Sequence, residues 1–258
     1  MVTIKRGKNF SLKRELTLFH VVVAGVGIIL GAGIYALIGI AAGETGNTIW
    51  LSFLISAVVA AFTGFSYAEL SSMFKGDGGE YDYCKKSFGR KTAVLVSLLI
   101  IATGLISAAT VALGFAGYLS SLFSIKYLLA AILIVVLMSF INYHGIKDSN
   151  KFNLIATLIE LIGLLVIISI GFGHFGDANL LEMPNGFSGV LKSAALVFFA
   201  FMGFETIVKL KEETKNPQKT IPKAIIISVF ITAIIYVLVS IAAVSILPAS
   251  DLAKSKSP

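Results

Sequence analysis

The chain has 258 residues, of which 57% are hydrophobic and 14% are charged, and its formal net charge is +7. A soluble domain carries about 25% charged residues, and several apolar runs here reach the roughly 20 residues that span a bilayer as helix. That excludes an ordinary soluble protein, and the single cysteine, Cys84, excludes an intrachain disulfide.

Apolar spans are expected at about 16–42, 48–69, 92–123, 127–143, 153–172, 190–208 and 221–247, in one transmembrane domain over residues 1–258. The first run is too long for a signal-peptide core and is followed by further spans, so it reads as a retained helix. All but four of the 21 Lys and Arg residues fall on the side of the N-terminus. The exceptions are Lys126, Lys192, Lys254 and Lys256. By the positive-inside rule the N-terminus is cytoplasmic. The basic balance then reports topology, not a nucleic-acid surface.

Within the first run, Gly25, Gly27, Gly31 and Gly33 lie in nine positions. Each costs about 1 kcal/mol relative to Ala in a helix interior. Either they admit a close neighbour, as a Gly27-to-Gly31 packing pair would, or the helix is broken there to bind something. The second span is rich in small residues (Ser52, Ser56, Ala57, Ala60, Ala61, Gly64), which suits packing inside a bundle. The segment from Ser71 to Lys91 mixes glycine, tyrosine and both charges, and reads as an interfacial connector. The third span is long enough to tilt strongly. The fourth ends on Asn142, His144 and Gly145, a glycine stop.

The fifth span carries Glu160 near its centre. An ionisable group at that depth faces the bundle interior and serves either a function or a structural hydrogen bond. The sixth span places Phe198, Phe199, Phe201 and Phe204 around Gly203, with Glu205 next. Such an aromatic stripe fits a packed core as well as a ligand pocket. Thr220 is the expected cap of the seventh span and Pro222 suits its first turn; the span has no internal charge.

Secondary transporters built from inverted repeats carry broken helices at corresponding positions, aimed at a midplane substrate. In a five-helix repeat the partner of helix 1 is helix 6, and these are the two glycine-marked spans. Amides around Ala32–Ile34 suit a carboxylate at the positive end of a half-helix. Carbonyls freed around Phe198–Met202 suit an ammonium. Together they match the two charges of a free amino acid.

Four groups of residues resemble the amino acid–polyamine–organocation superfamily of permeases, which has the leucine-transporter fold. They are 31–35, 78–89, 198–205 and 212–225, in family order and at family spacing across almost the whole chain. The resemblance implies an all-α polytopic membrane protein with an incomplete inverted-repeat fold, one five-helix repeat plus two helices. It implies an amino acid transporter of the cell membrane, working by alternating access as an exchanger or proton symporter. Its substrate carboxylate would meet Gly31, Ala32, Gly33 and Ile34, and its amino group Phe199, Ala200 and Met202. Glu160 and Glu205 are the candidates for proton or ion coupling. The expected partners are an amino acid, membrane lipid and protons.

Three departures accompany the resemblance. Family members usually have about twelve helices, so the chain reads as an N-terminal part, and the alternative function is a transport-incompetent fragment serving as a membrane scaffold. Lys75 stands where the family often has proline. Glu160 stands near the place of a lysine that substitutes for sodium in some proton-coupled members, with opposite charge.

Other classes fit less well. A cytoplasmic N-terminus opposes an ordinary seven-helix receptor, and the seventh span has no internal lysine for a retinal Schiff base, Lys223 lying at its very start. The three histidines, His20, His144 and His174, lie at separate helix ends and form no metal-ligand or nucleophile–base pattern. Neither an enzyme nor a metal or other cofactor is expected.

Overall fold

The computed structural model describes residues 14–74, 79–144 and 146–255, with the side chains of 144–153 set aside. Lys75, Gly76, Gly78, Gly145 and the N-terminal cations up to Lys13 lie outside the described residues, as do the side chains of His144, Lys147 and Lys151.

The described residues form helices, apart from turns and one isolated bridge between Leu16 and Thr214. In chain order the α-helices are α1 (Leu18–Ile29), α2 (Gly33–Thr45), α3 (Ile49–Met73), α4 (Gly79–Phe88), α5 (Arg90–Phe123), α6 (Tyr127–His144), α7 (Ile146–Phe172), α8 (Gly186–Val197), α9 (Pro217–Ile246) and α10 (Ala249–Lys254). Five stretches of the described residues are long and apolar enough to cross a membrane: Gly33–Met73, Arg90–Phe123, Leu154–Phe172, Gly186–Glu213 and Pro217–Ile246. Leu18–Ile29 and Tyr127–Tyr143 are shorter apolar helices. The chain is a multi-pass, all-helical membrane protein.

The connector after α3, read from sequence as a loop at the interface, contains the ten-residue helix α4. Its first turn holds Glu80 and Asp82 and its last turn Lys85 and Lys86, the charge order that complements a helix dipole. Gly89, at φ 87°, then turns the chain into α5. At 34 residues, α5 is about 51 Å long, against a hydrocarbon core of about 30 Å. It spans only with a strong tilt.

One apolar core joins α1, α2, α3, α8 and α9, with Phe53, Phe201, Tyr236, Ile29 and Ile225 among its fully buried members. A second, small cluster around Ala116, Ala130 and Ala131 joins α5 to α6. The small residues of α3 behave as their size suggests. Ser52 Oγ donates to the Val190 carbonyl at 3.0 Å and Ser56 Oγ to the Ala194 carbonyl at 2.6 Å, so two successive turns of α3 and α8 are joined. The Ser193 hydroxyl donates to Ala41 O at 3.2 Å, adding α2 to the same contact. On the far side α3 packs against α9 at Gly64, where a Cβ would be in ordinary contact with Ile225 and Val229, at 3.6 and 3.7 Å.

The connection between α7 and α8 folds back onto the turn after α2. Thr48 Oγ1 donates to Glu182 O at 2.9 Å, Trp50 Nε1 to Leu180 O at 2.9 Å, and Asn185 Nδ2 to Glu44 O at 2.9 Å. These bonds fix the α2 end of the first apolar run to the start of α8, and so set how the two runs face each other.

Candidate functional site

The first apolar run is two helices. α1 ends at Ile29, Leu30 leaves helical geometry with ψ 93°, and α2 begins at Gly33. The break falls on the second glycine pair, Gly31 and Gly33. Gly25 serves packing instead: a Cβ there would lie 2.5 Å from the Ser228 hydroxyl. Gly27 does the same against Thr157, at 2.6 Å from its methyl. The glycines thus divide: Gly25 and Gly27 admit close neighbours, while Gly31, expected to pack together with Gly27, lies at the break.

The sixth run is interrupted too. α8 tightens into 3₁₀ geometry over Phe198–Phe201, Met202 is extended, and Gly203 takes φ 123°. The chain then continues as a ten-residue 3₁₀ segment, Phe204–Glu213, where an α-helix was expected. Runs of this type seldom exceed three or four residues, so this half of the run is held by its surroundings. A Cβ at Gly203 would sit 2.9 Å from the Ile28 carbonyl oxygen, and φ 123° already excludes most side chains. At Gly33 a Cβ would sit 2.8 Å from Ala200 Cα. The two interruptions are thus in backbone contact, and glycine is what lets them meet.

Both breaks open onto one cavity of about 590 Å³. It is lined by Gly31, Ala32, Gly33, Phe199, Ala200 and Met202, and Glu205 also borders it. Ile34 is placed differently: it is 1% exposed, in the core, and not on the cavity wall. Glu160 lies apart from this cavity, on α7. Its backbone carbonyl accepts from the Tyr35 hydroxyl at 3.2 Å, and its Oε1 is buried with no hydrogen-bond partner among the described residues. The Glu205 carboxylate accepts from the Gly203 amide at 2.7 Å, so it caps the start of the 3₁₀ segment from within.

Three features were missed in the sequence. Tyr236, on α9, is 0% exposed, and its hydroxyl reaches the Ile29 carbonyl at 2.9 Å and the Ala200 carbonyl at 3.0 Å. One phenol therefore satisfies backbone groups from both interruptions, which in a bilayer have no water to turn to. The only signal was a lone tyrosine inside an apolar run. Second, Tyr67 on α3 donates to Glu80 Oε1 at 2.9 Å while its ring meets Phe204 edge-on, joining α3 and α4 to the 3₁₀ segment at the cavity wall. Third, Thr63, Thr103 and Ser107 line the cavity from α3 and α5, with the two threonine hydroxyls donating back to the Val59 and Leu99 carbonyls.

The far end of the 3₁₀ segment, at residues 211–213, is also anchored. Lys211 is 4% exposed, and its ammonium donates to the carbonyls of Ser71, at 2.5 Å, and Phe74, at the end of α3. A cation there complements the negative end of that helix. The chain before α1 is clipped alongside: the amides of Glu15 and Leu16 donate to the Glu213 carbonyl at 2.9 Å, and the Lys215 amide to the Leu16 carbonyl at 2.9 Å.

Two apolar runs of this polytopic protein are thus interrupted, and their breaks touch at one shared cavity. A family model described as amino acid permease matches residues 16–258. The chain is 33% identical over 265 residues to the branched-chain amino acid permease BcaP of Bacillus subtilis, covering 94% of this chain and 57% of that protein. It is 31% identical to the methylthioribose transporter of the same organism (96% and 58% covered), and 32% identical to the vacuolar cationic amino acid transporter 4 of Arabidopsis thaliana (95% and 45% covered). The chain belongs to the amino acid permease family. It spans about half the length of the curated relatives it matches.

Proposed function

We propose that this chain forms the substrate-binding part of a secondary transporter that moves amino acids across the cell membrane by alternating access, with its N-terminus in the cytoplasm. The observation that carries the reading is the contact of the two interruptions over the cavity, in a chain of this family. The start of α2 offers unpaired amides at the positive end of a helix, which suits a carboxylate. Carbonyls of the interrupted stretch Phe199–Met202 suit an ammonium. The inverted-repeat arrangement is part of this proposal: the breaks fall in the first and sixth apolar runs, the corresponding positions of two five-helix repeats.

Coupling is assigned to Glu160 and Glu205, with exchange or proton symport as the mode. Glu160 has a buried carboxylate oxygen without a partner, a costly state for an ion in a bilayer, and protonation relieves it. Glu205 is already engaged with the Gly203 amide, so its carboxylate is tied to the shape of the break.

The relatives' greater length favours one second reading, that the chain alone is a membrane scaffold without transport. Uptake of labelled amino acids into proteoliposomes distinguishes the two, using this chain and, in parallel, the same chain extended along its reading frame. Saturable uptake by either supports the transporter. No saturable uptake of any amino acid by both, from protein that is folded by circular dichroism, overturns it.

A further inference from the structure

The clip between the chain before α1 and the end of the 3₁₀ segment brings together residues about 200 positions apart. It seats Arg14 against the N-terminus of α9, where Arg14, Lys211, Asn216, Pro217, Gln218 and Lys219 line a polar cavity of about 470 Å³. Three of the six carry positive charge and none is acidic. Glu212 and Glu213 are exposed neighbours in the chain, and neither is on the cavity wall.

The helix that begins here sharpens the point. α9 is 30 residues long, has no acidic residue in its first turn, and its N-cap, Asn216, makes no side-chain capping bond. The positive end of a helix favours anions, yet this fold adds Lys219 and Arg14 to it. The third cation, Lys211, is 4% exposed and fixed in place through its bonds to the Ser71 and Phe74 carbonyls. It is therefore a preset charge, unlike a flexible surface lysine. Backbone bonds hold these cations together against their mutual repulsion, and an anion in the cavity removes that repulsion.

We infer that this cavity is a binding site for a phosphate group, presented by an anionic lipid headgroup or by a soluble phosphate compound. Basic pockets beside membrane helices take anionic headgroups, each cation near the surface contributing roughly a five-fold gain in affinity. A bound phosphate bridges Arg14 to Lys219 and stiffens the clip that holds the chain before α1 to the start of α9. The inference does not depend on the transport reading, because it concerns a separate cavity and is read by binding alone.

The test uses the purified protein in nanodiscs of phosphatidylcholine with or without phosphatidylglycerol, and in detergent with inorganic phosphate. Bound lipid is counted by native mass spectrometry and affinity is taken from thermal-shift titrations. The paired substitution Arg14→Gln and Lys219→Gln leaves Lys211 and the backbone clip untouched. Phosphatidylglycerol is expected to bind and stabilise the unaltered protein, with affinity falling about 25-fold in the double variant and declining with added salt. Stabilisation by inorganic phosphate alone, lost in the same variant, supports the site with a soluble ligand. Phosphatidylcholine binding as tightly as phosphatidylglycerol overturns the inference. So does an affinity unchanged in the double variant, or binding of neither phosphate source.

Discussion

Tyr236→Phe removes one oxygen atom and nothing else, and the structure fixes what that oxygen does. The phenol lies between the Ile29 carbonyl, at 2.9 Å, and the Ala200 carbonyl, at 3.0 Å. It has one proton to share between two carbonyls, so the losses do not simply add. Leaving a buried polar group unsatisfied costs about 1–3 kcal/mol, and we take about 2 kcal/mol for the pair on that same scale. For a chain of this size each kcal/mol moves the midpoint by about 2–4 °C, so the variant should melt about 4–8 °C lower. The assay is thermal unfolding in detergent followed by circular dichroism, with Tyr127→Phe as the control because Tyr127 is 45% exposed. A Tyr236→Phe midpoint within about 1 °C of that control would refute the idea that this hydroxyl holds the two breaks in shape. The same variant should also weaken amino acid binding, since carbonyls freed from the phenol are free to turn away from the cavity.

Gly203→Ala should be worse tolerated than Gly64→Ala, because the first meets both φ 123° and the Ile28 carbonyl at 2.9 Å while the second meets methyl groups beyond 3.5 Å. Strain of this kind costs about 1–3 kcal/mol, and equal melting points for the two variants would show that the break relaxes freely. Glu160→Gln should flatten the pH dependence of transport while amino acid binding stays measurable, and an unchanged pH profile sinks the coupling role. Burial, with Glu80 and Asp82 adding to it, pushes the Tyr83 phenol up to about 12. Its neutral form is favoured in the fold, so this stabilisation is complete below pH 10 and is lost as pH rises from there to about 12. Tyr83→Phe should abolish that part of the alkaline loss, as followed by denaturant titrations at pH 9 and pH 11.

The sequence revealed the two interrupted runs because glycine and apolar character are local signals. A break in lipid needs glycine where backbones touch, and Gly33 and Gly203 are such points. The placement of Phe199, Ala200 and Met202 opposite Gly31 follows from the same pairing. What stayed hidden depends on partners far along the chain. Tyr236 is 36 residues from Ala200 and 207 from Ile29, and no periodicity connects them. The 3₁₀ form of Phe204–Glu213 was equally invisible, since it results from anchors at both ends, Tyr67 against Phe204 and Lys211 against the end of α3. Helix α4 was concealed by the polar, glycine-bearing composition that also suits a connector.

The serine hydroxyls that join α3 to α8 have a consequence for how this bundle can move. Ser52 and Ser56 are one turn apart, and so are their acceptors, Val190 and Ala194. Sliding one helix along the other by a single residue, about 1.5 Å, breaks both bonds together, and hydrocarbon supplies no replacement. Rotation of either helix separates the same pairs. The α8 half of the sixth run is therefore fixed to α3 like a key in a keyway, and displacement in that run is directed to the one joint the backbone provides, at Met202 and Gly203.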